Sequence, residues 1–239
     1  KAFMNRIYWM NKEYQITGND VVMQKTSFTF DVSVWELFWW TITGAKLVLL
    51  EKDCEYNPSA IVNTIERSNV TVMHFVPSML HVFLNQLDNR MISSLSSLKY
   101  VFSSGEELSA ANVENFLNLF KNKATRLINL YGPTEATIDV TYYDCAEADL
   151  YSRIPIGRPI SNHKIYILDE QYKICPIGIQ GELCIAGAGL AESYLNRKEL
   201  TNEAFIYIQP DKNHDTKERI YKTGDIGRWN CKVLIEYIV

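Results

Sequence analysis

The segment at residues 129–135 carries side chains suited to binding a nucleotide and a metal ion. It reads Asn-Leu-Tyr-Gly-Pro-Thr-Glu and continues from a short apolar run, residues 126–129, that predicts a buried strand. The tyrosine can stack on a base, and the glycine lets backbone approach a phosphate. The threonine and glutamate offer oxygen ligands for magnesium. The same residues also fit a strand that ends in a tight Gly-Pro turn, so this segment alone leaves both interpretations open.

Three further segments give this motif a context. Residues 30–36 read Phe-Asp-Val-Ser-Val-Trp-Glu, residues 181–191 read Gly-Glu-Leu-Cys-Ile-Ala-Gly-Ala-Gly-Leu-Ala, and residues 221–225 read Tyr-Lys-Thr-Gly-Asp. In this order and spacing, the four segments resemble the adenylation domains of nonribosomal peptide synthetases, within the acyl-CoA synthetase and luciferase superfamily. The resemblance covers nearly the whole chain and implies the partial N-terminal core of an adenylate-forming enzyme.

The resemblance implies a reaction that joins an amino acid to ATP, giving an aminoacyl-AMP and pyrophosphate. The product would then pass to the phosphopantetheine thiol of a carrier domain. Thr134 and Glu135 would be the catalytic residues, contacting phosphate and binding Mg²⁺ respectively. Tyr131 would stack on adenine, and Asp225 would accept hydrogen bonds from the ribose hydroxyls. The nucleotide-binding residues implied by the family pattern are Gly105, Glu106, Asn129, Tyr131, Gly132, Thr134, Asp225 and Tyr237.

Substrate-binding residues follow from the same resemblance. Asp31 would pair with the α-ammonium group of the amino acid, although it also fits the N-cap of a following helix. Glu106 likewise fits the start of a helix as well as a loop beside adenine. The implied substrate-binding set is Asp31, Val32, Trp35, His74, Phe102, Ser104, Leu130, Ile138 and Asp139.

This set resembles that of modules that activate L-serine. Trp35, Phe102 and Leu130 are bulky and would leave room for a small side chain only. His74 interrupts an apolar strand, so it needs a polar partner, and together with Asp139 it would orient a hydroxyl. Two alternatives stay open, namely a hydrogen-bonded core histidine at position 74 and a cationic substrate such as ornithine at Asp139.

Alternating strands and helices must position these residues. Candidate strands lie at residues 21–26, 46–51, 71–76, 97–102 and 126–130, and Asn57 and Ser109 are candidate helix N-caps. This alternation predicts an α/β fold with a largely parallel sheet covered by helices. Ligands bind at the carboxyl ends of such strands, where residues 74, 104 and 130–135 are expected.

After about residue 148 the pattern changes. Strand-like alternation at residues 164–168 and 182–186, separated by Pro and Gly turns, predicts a smaller β-rich subdomain. We therefore predict an α/β subdomain at residues 1–148 and a β-rich subdomain at residues 149–239. The polar stretch at residues 209–219 predicts an exposed loop.

Composition restricts the function classes. The net charge of −4 without a basic run argues against nucleic acid, and no apolar run is long enough to predict a membrane span. The absence of a signal peptide and of any C-x-x-C pair among the five cysteines predicts a cytoplasmic protein without a disulfide or metal framework. His74 and His81 lack further ligands at a suitable spacing, so we do not predict a metal site there. Residues 187–192 lack the third glycine of a dinucleotide-binding loop, so we do not predict such a loop either.

The chain departs from the family pattern in several places. The phosphate loop would lie upstream of residue 1, and the C-terminal subdomain with its lysine would lie beyond residue 239. Glu192 and Ser193 replace the usual Arg-Gly, and the usual Asp-Gly turn after Trp229 is absent. We therefore expect the 239-residue piece by itself to adenylate weakly or not at all.

Two other functions remain open. One is an acyl-CoA synthetase, against which Asp31 argues, and the other is a non-catalytic remnant that binds nucleotide or a partner domain. The partners implied for the active protein are a peptidyl carrier domain and a condensation domain of the same synthetase.

Overall fold

Two compact units make up the chain. The computed structural model describes residues 1–150, 153–210 and 217–238. The α/β unit comprises residues 10–130 and 143–154, and the β unit comprises residues 1–9, 131–142 and 155–239. The division of function between residues 1–148 and 149–239 stays a prediction.

A parallel sheet forms the centre of the α/β unit, as the alternating pattern predicts. Five strands of this sheet run in the order β2-β1-β3-β4-β5, and each neighbouring pair among them is parallel. In register, His74 lies opposite Phe102 and Ser103 lies opposite Asn129. The strands are β1 (Val21–Gln24), β2 (Lys46–Leu49), β3 (Val72–Phe75), β4 (Tyr100–Ser103) and β5 (Arg126–Tyr131).

Helices connect these strands, and two of them begin at the predicted caps. The side chain of Asn57 accepts from the N–H of Ala60 at 3.2 Å, and that of Ser109 accepts from the N–H of Asn112 at 3.2 Å. The helices are α1 (Ala2–Tyr14), whose first part belongs to the β unit, α2 (Ser33–Thr43), α3 (Pro58–Ser68), α4 (Pro77–Gln86), α5 (Asn89–Ser94) and α6 (Ala110–Phe120).

An antiparallel sheet dominates the β unit, which confirms its predicted β-rich character. Four strands run in the order β10-β11-β9-β8, and β12 pairs with β11. Thr141 and Tyr142 of β6 pair with the short strand β7. The elements are β6 (Thr141–Asp144), whose last two residues belong to the α/β unit, β7 (Arg158–Pro159), β8 (His163–Leu168), β9 (Gly181–Gly187), α7 (Lys198–Ala204), β10 (Phe205–Ile208), β11 (Glu218–Trp229) and β12 (Ile235–Tyr237).

The buried core of the β unit holds the ends of the motif segments in place. Ile165, Leu183 and Ile185 pack with Tyr221 in this core, and Tyr131 and Tyr237 lie against it. Of the predicted loop at residues 209–219, positions 211–216 lie outside the described residues, and β11 already begins at Glu218. Among the described residues, no helix has the length and apolarity needed to span a bilayer.

Candidate active site

Two residues predicted to bind the nucleotide meet in the β unit. The hydroxyl of Tyr131 donates a hydrogen bond to Oδ2 of Asp225 at 2.5 Å, although the residues are 94 positions apart. Burial raises the pKa of Tyr131, and the neighbouring Asp225 carboxylate raises it further. The hydroxyl therefore stays protonated and keeps donating. The ring of Tyr237 lies 6.1 Å from that of Tyr131, measured between centroids.

A bulge in β11 presents Asp225. The pairing of β11 with β9 shifts register between Lys222 and Ile226, and Gly224 has a φ of +78°, which favours glycine. The N–H of Gly224 donates to Oε1 of Glu182 at 3.2 Å, and the N–H of Asp225 donates to Oγ1 of Thr223 at 3.0 Å. These bonds fix the turn that carries the carboxylate.

Glu135, the predicted magnesium ligand, lies in a short 3₁₀ helix, Thr134–Ala136. Its Oε1 accepts a hydrogen bond from the hydroxyl of Tyr194 at 2.5 Å, and its backbone oxygen accepts from the N–H of Ala191 at 2.7 Å. No group of three potential metal ligands occurs in the described part of the chain. A single half-buried carboxylate fits magnesium, because this ion is commonly held by one or two carboxylates together with substrate phosphates.

The backbone at residues 132–140 is tightly constrained. A Cβ atom on Gly132 would lie 2.6 Å from Cα of Asp139 and 2.6 Å from the oxygen of Ile138, so a glycine is required there. Ile138 has a φ of +76°, which is a strained conformation for a β-branched residue. The N–H of Val140 donates to the oxygen of Tyr131 at 2.8 Å. Strain of this kind concentrates at functional sites, and Ile138 and Asp139 belong to the implied substrate-binding set.

Asp139 forms a buried ion pair that the sequence did not reveal. Nη2 of Arg6 lies 2.8 Å from Oδ2 of Asp139, and both side chains are 1% exposed. A signal for it was present, because Arg6 shares a helix face with the apolar residues Trp9 and Met10 at i+3 and i+4. A charged residue on a buried helix face requires a partner, but its identity depends on the fold.

In the α/β unit, His74 lies beside an aromatic cluster that includes Trp35 and Phe102. Trp35 and Phe102 are fully buried, and their rings are 5.3 Å apart between centroids. The ring of Trp35 also lies 6.2 Å from that of His74. Large rings therefore fill the space beside the histidine.

His74 has a polar partner within the implied substrate-binding set. Its Nε2 lies 3.0 Å from Oγ of Ser104, and both residues are 1% exposed. Nε1 of Trp35 is buried and has no hydrogen-bond acceptor among the described residues. This corner of the α/β unit thus combines a His–Ser pair with a buried N–H donor that has no acceptor among the described residues.

The other predicted positions lie at strand ends and turns. Asp31 is half-buried and lies in the turn before α2, whose N-cap position is Val32 with no capping side-chain hydrogen bond. Asn129 and Leu130 are buried in β5.

Gly105 and Glu106 are exposed after β4, and Glu106 accepts from the N–H of Ser78 at 2.9 Å in the first turn of α4. Glu106 therefore binds the N-terminal turn of α4, and not that of α6, which is the next helix in the sequence.

Comparison with known proteins gives this arrangement a family. The model of the AMP-binding enzyme family matches residues 1–195. The chain belongs to the AMP-binding enzyme family. The similarity to nonribosomal peptide synthetases inferred from the four segments is also confirmed by individual relatives.

Curated relatives of this AMP-binding chain are synthases or synthase subunits. It is 48% identical to one of the mycosubtilin synthase proteins of Bacillus subtilis, over 100% of the chain and 9% of that protein. It is 49% identical to zwittermicin A synthase ZmaJ of Bacillus cereus, over 95% of the chain and 42% of that protein. The chain thus spans less than half the length of these two relatives.

Solved structures share the fold of the AMP-binding chain. The nonribosomal peptide synthetase FmoA3 superimposes with a TM-score of 0.89 at 26% identity, over 99% of this chain and 25% of FmoA3. A form of FmoA3 bound to α-methyl-L-serine-AMP superimposes with a TM-score of 0.88 at 26% identity, over 99% of this chain and 26% of FmoA3. The predicted fold class, a largely parallel α/β sheet followed by an antiparallel β-rich part, is confirmed.

Sequence reasoning missed Tyr194 as well as Arg6. Tyr194 holds the carboxylate of Glu135, and burial together with this hydrogen bond raises the pKa of the tyrosine. Tyr194 comes directly after Glu192 and Ser193, which depart from the family pattern. Its contact with Glu135 joins residues that are 59 positions apart in the sequence. Nothing in the local sequence indicates such a contact.

Proposed function

We propose that this chain is the amino-acid-adenylating core of a nonribosomal peptide synthetase and that its substrate is L-serine. The main supporting observation is the hydrogen bond between Tyr131 and Asp225, which joins two separate motif segments at one place in the β unit. The tyrosine presents a ring for adenine, and the carboxylate can accept from several hydroxyl groups at once.

The reaction would join the serine carboxylate to the α-phosphorus of ATP with release of pyrophosphate. Positioning and charge stabilisation are the main tasks, because the reactants are an anion and a polyanion. Thr134 would contact phosphate and Glu135 would hold Mg²⁺. When bound with ATP, the metal would neutralise charge on the phosphates. Asp31 would pair with the substrate ammonium, since a half-buried carboxylate favours a cationic partner.

Serine specificity is supported by the α/β unit and by one relative. The His74–Ser104 pair and the unsatisfied Trp35 N–H offer hydrogen-bonding groups among bulky rings, which suits a small polar side chain. FmoA3, which shares the fold, has been crystallised with α-methyl-L-serine-AMP. A site built to bind a hydroxyl strongly rejects the analogue that lacks it, which here is alanine.

The aminoacyl-AMP would be consumed by a phosphopantetheine thiol on a carrier domain. The relatives that carry matching chains are synthase proteins far longer than this chain, so a peptidyl carrier and a condensation domain of the same synthetase are the proposed partners. We place this protein in the cytoplasm as part of the same proposal.

A histidine substitution tests the substrate assignment. In the full synthetase, His74→Leu is expected to lower kcat/KM for serine in ATP–pyrophosphate exchange by about tenfold or more, while alanine changes little. His81→Leu is the matched control, because His81 binds Asn85 and Asn112 outside the implied substrate-binding set. Equal losses for serine and alanine would argue against recognition of the hydroxyl by His74.

A further inference from the structure

The buried ion pair of Arg6 and Asp139 calls for an explanation beyond stability. Both side chains are 1% exposed, and a contact of 2.8 Å joins them. Nε and Nη1 of Arg6 are buried and have no acceptor among the described residues. Burying a guanidinium with unsatisfied donors is unfavourable, and an apolar pair of similar volume often gives equal or better stability.

The surroundings of Arg6 hold its guanidinium in one place. Its Cζ lies 4.9 Å from the ring centroid of Trp9, a cation–π contact, and Trp9 packs 5.0 Å from Tyr142. The arginine side chain is therefore braced by the ring of Trp9, which itself packs against Tyr142. A braced guanidinium offers its donors in a fixed direction.

His163 adds no competing charge to this cluster. Its Nε2 accepts from the N–H of Gly189 at 3.1 Å, which leaves Nδ1 to donate to the oxygen of Ser161 at 3.2 Å. This pattern belongs to a neutral imidazole. Burial lowers the pKa of His163, and the positive charge of Arg6 contributes to the lowering. Arg6 therefore supplies the positive charge that faces Asp139.

The backbone of Asp139 is fixed independently of its side chain. Ile138 before it has a φ of +76°, and Val140 after it donates to the oxygen of Tyr131 at 2.8 Å. Gly132 makes room for its Cα. Arg6 completes this constraint, because it fixes the carboxylate that the strained backbone carries.

We propose that Arg6 is a positioning residue for substrate selectivity, which holds the Asp139 carboxylate ionised and oriented to accept a hydrogen bond from the substrate side chain. The inference rests on the proposed function, since that function assigns Asp139 to the substrate side chain. An ionised carboxylate held in one rotamer discriminates between a hydroxyl and a methyl group better than a mobile one, because less reorganisation opposes binding.

The test compares serine with alanine in ATP–pyrophosphate exchange by the full synthetase. Arg6→Met is expected to lower kcat/KM for serine by about tenfold or more, mainly through KM, with alanine and the KM for ATP nearly unchanged. Arg6→Lys keeps the positive charge but lacks the planar guanidinium group. Its kcat/KM for serine should therefore lie between those of wild type and Arg6→Met. Arg126→Met, which removes a half-exposed ion pair with Asp144, is the matched control and should retain the wild-type ratio.

Arg6→Lys keeps the test decisive if Arg6→Met fails to fold. It retains a positive charge beside the Asp139 carboxylate, so it leaves no unpaired ion in the interior, and it should fold yet show a reduced serine-to-alanine ratio. A wild-type ratio in R6M or R6K, or parallel losses for both amino acids, would overturn the positioning role.

Failure of the inference and failure of the proposed function give different results. A serine-selective wild type with an equally selective R6M overturns the role of Arg6 alone. A wild type that activates another amino acid overturns serine as the substrate. The role of Arg6 then requires that R6M discriminate less well than wild type between that amino acid and an analogue that lacks its side-chain hydrogen-bond donor. A wild type that activates no amino acid overturns both.

Discussion

A single carboxylate, Asp225, connects the tyrosine of one motif with the turn of another. Its Oδ2 accepts from the hydroxyl of Tyr131, and its backbone N–H is bound to Thr223. An ionised carboxylate has about four acceptor sites, so it can bind ribose hydroxyls in addition to the tyrosine. Under the proposed function, the residue would therefore link the position of the ring to that of the ribose.

Replacing this carboxylate should weaken ATP binding selectively. Asp225→Asn keeps the shape but loses the charge, and we expect the KM for ATP to rise by about 10- to 100-fold, because hydrogen bonds to charged groups contribute about 1.5–3 kcal/mol. The KM for serine should change little. Asp169→Asn is the control, since Asp169 binds N–H groups of its own turn. An unchanged KM for ATP in Asp225→Asn would contradict the ribose assignment.

Lys25 is a buried cation whose titration should be visible in stability. Its side chain lies 4.4 Å from the centroid of Phe75 and faces the carboxylate of Glu36, which is 0% exposed. Burial lowers the pKa of Lys25 from 10.5 to about 8, against the opposing effect of Glu36. The folded chain therefore releases this proton at a lower pH than the unfolded chain.

The sign of the pH dependence follows from this shift. Below pH 8 Lys25 is protonated in both the folded and the unfolded state, so the folded state bears the full cost of burying the charge. Between about pH 8 and 10.5 Lys25 is protonated in the unfolded state only. The free energy of unfolding of wild type relative to Lys25→Met should thus rise by up to about 1.4 kcal/mol per pH unit in this window. Urea denaturation at several pH values measures this difference. Lys46→Met, at an exposed position, should follow wild type, and curves that stay parallel for Lys25→Met would contradict the prediction.

A short motif is enough to propose a role for a side chain, whereas the partners that orient it depend on the fold. Tyr131, Glu135 and Asp225 were assigned from short segments whose residue types suit the proposed chemistry. Arg6 was not, because its partner lies 133 positions away and helix periodicity gives no information about that distance. The orienting partners are the part of the site that requires the structure.

Among the helices and strands, local signals predicted most of the α/β unit. Apolar runs placed the five parallel strands to within a few residues, and Asn57 and Ser109 cap α3 and α6 as expected. The short helices α4, α5 and α7 were not predicted. They contain six to ten residues, which is too short for a clear helical period.

The cap of α3 offers a test of stability without involving the proposed chemistry. Asn57→Ala removes the acceptor for the N–H of Ala60 and should lower the free energy of unfolding by about 1 kcal/mol. Thermal or urea denaturation measures the loss. Asn63→Ala, at an exposed position in the same helix, is the control and should cause no loss. Equal stability of the two variants would show that the cap contributes nothing.

Across the full chain, the sequence predicted two kinds of architecture but not how the chain divides between them. The first nine residues and residues 131–142 belong with the β unit, so neither unit is a single stretch of sequence. Composition changes near residue 148 cannot show this, because strand-like and helix-like patterns are local, whereas compact units are defined by contacts between distant segments.

Amino-acid-dependent ATP–pyrophosphate exchange by the full synthetase that carries this chain, measured with the standard amino acids and ornithine, tests both the proposed reaction and the proposed substrate. We predict exchange with L-serine well above that with alanine, threonine or any other amino acid. Exchange with a different amino acid would retain adenylation and contradict serine as the substrate, and the absence of exchange with all of them would contradict the proposed adenylation itself.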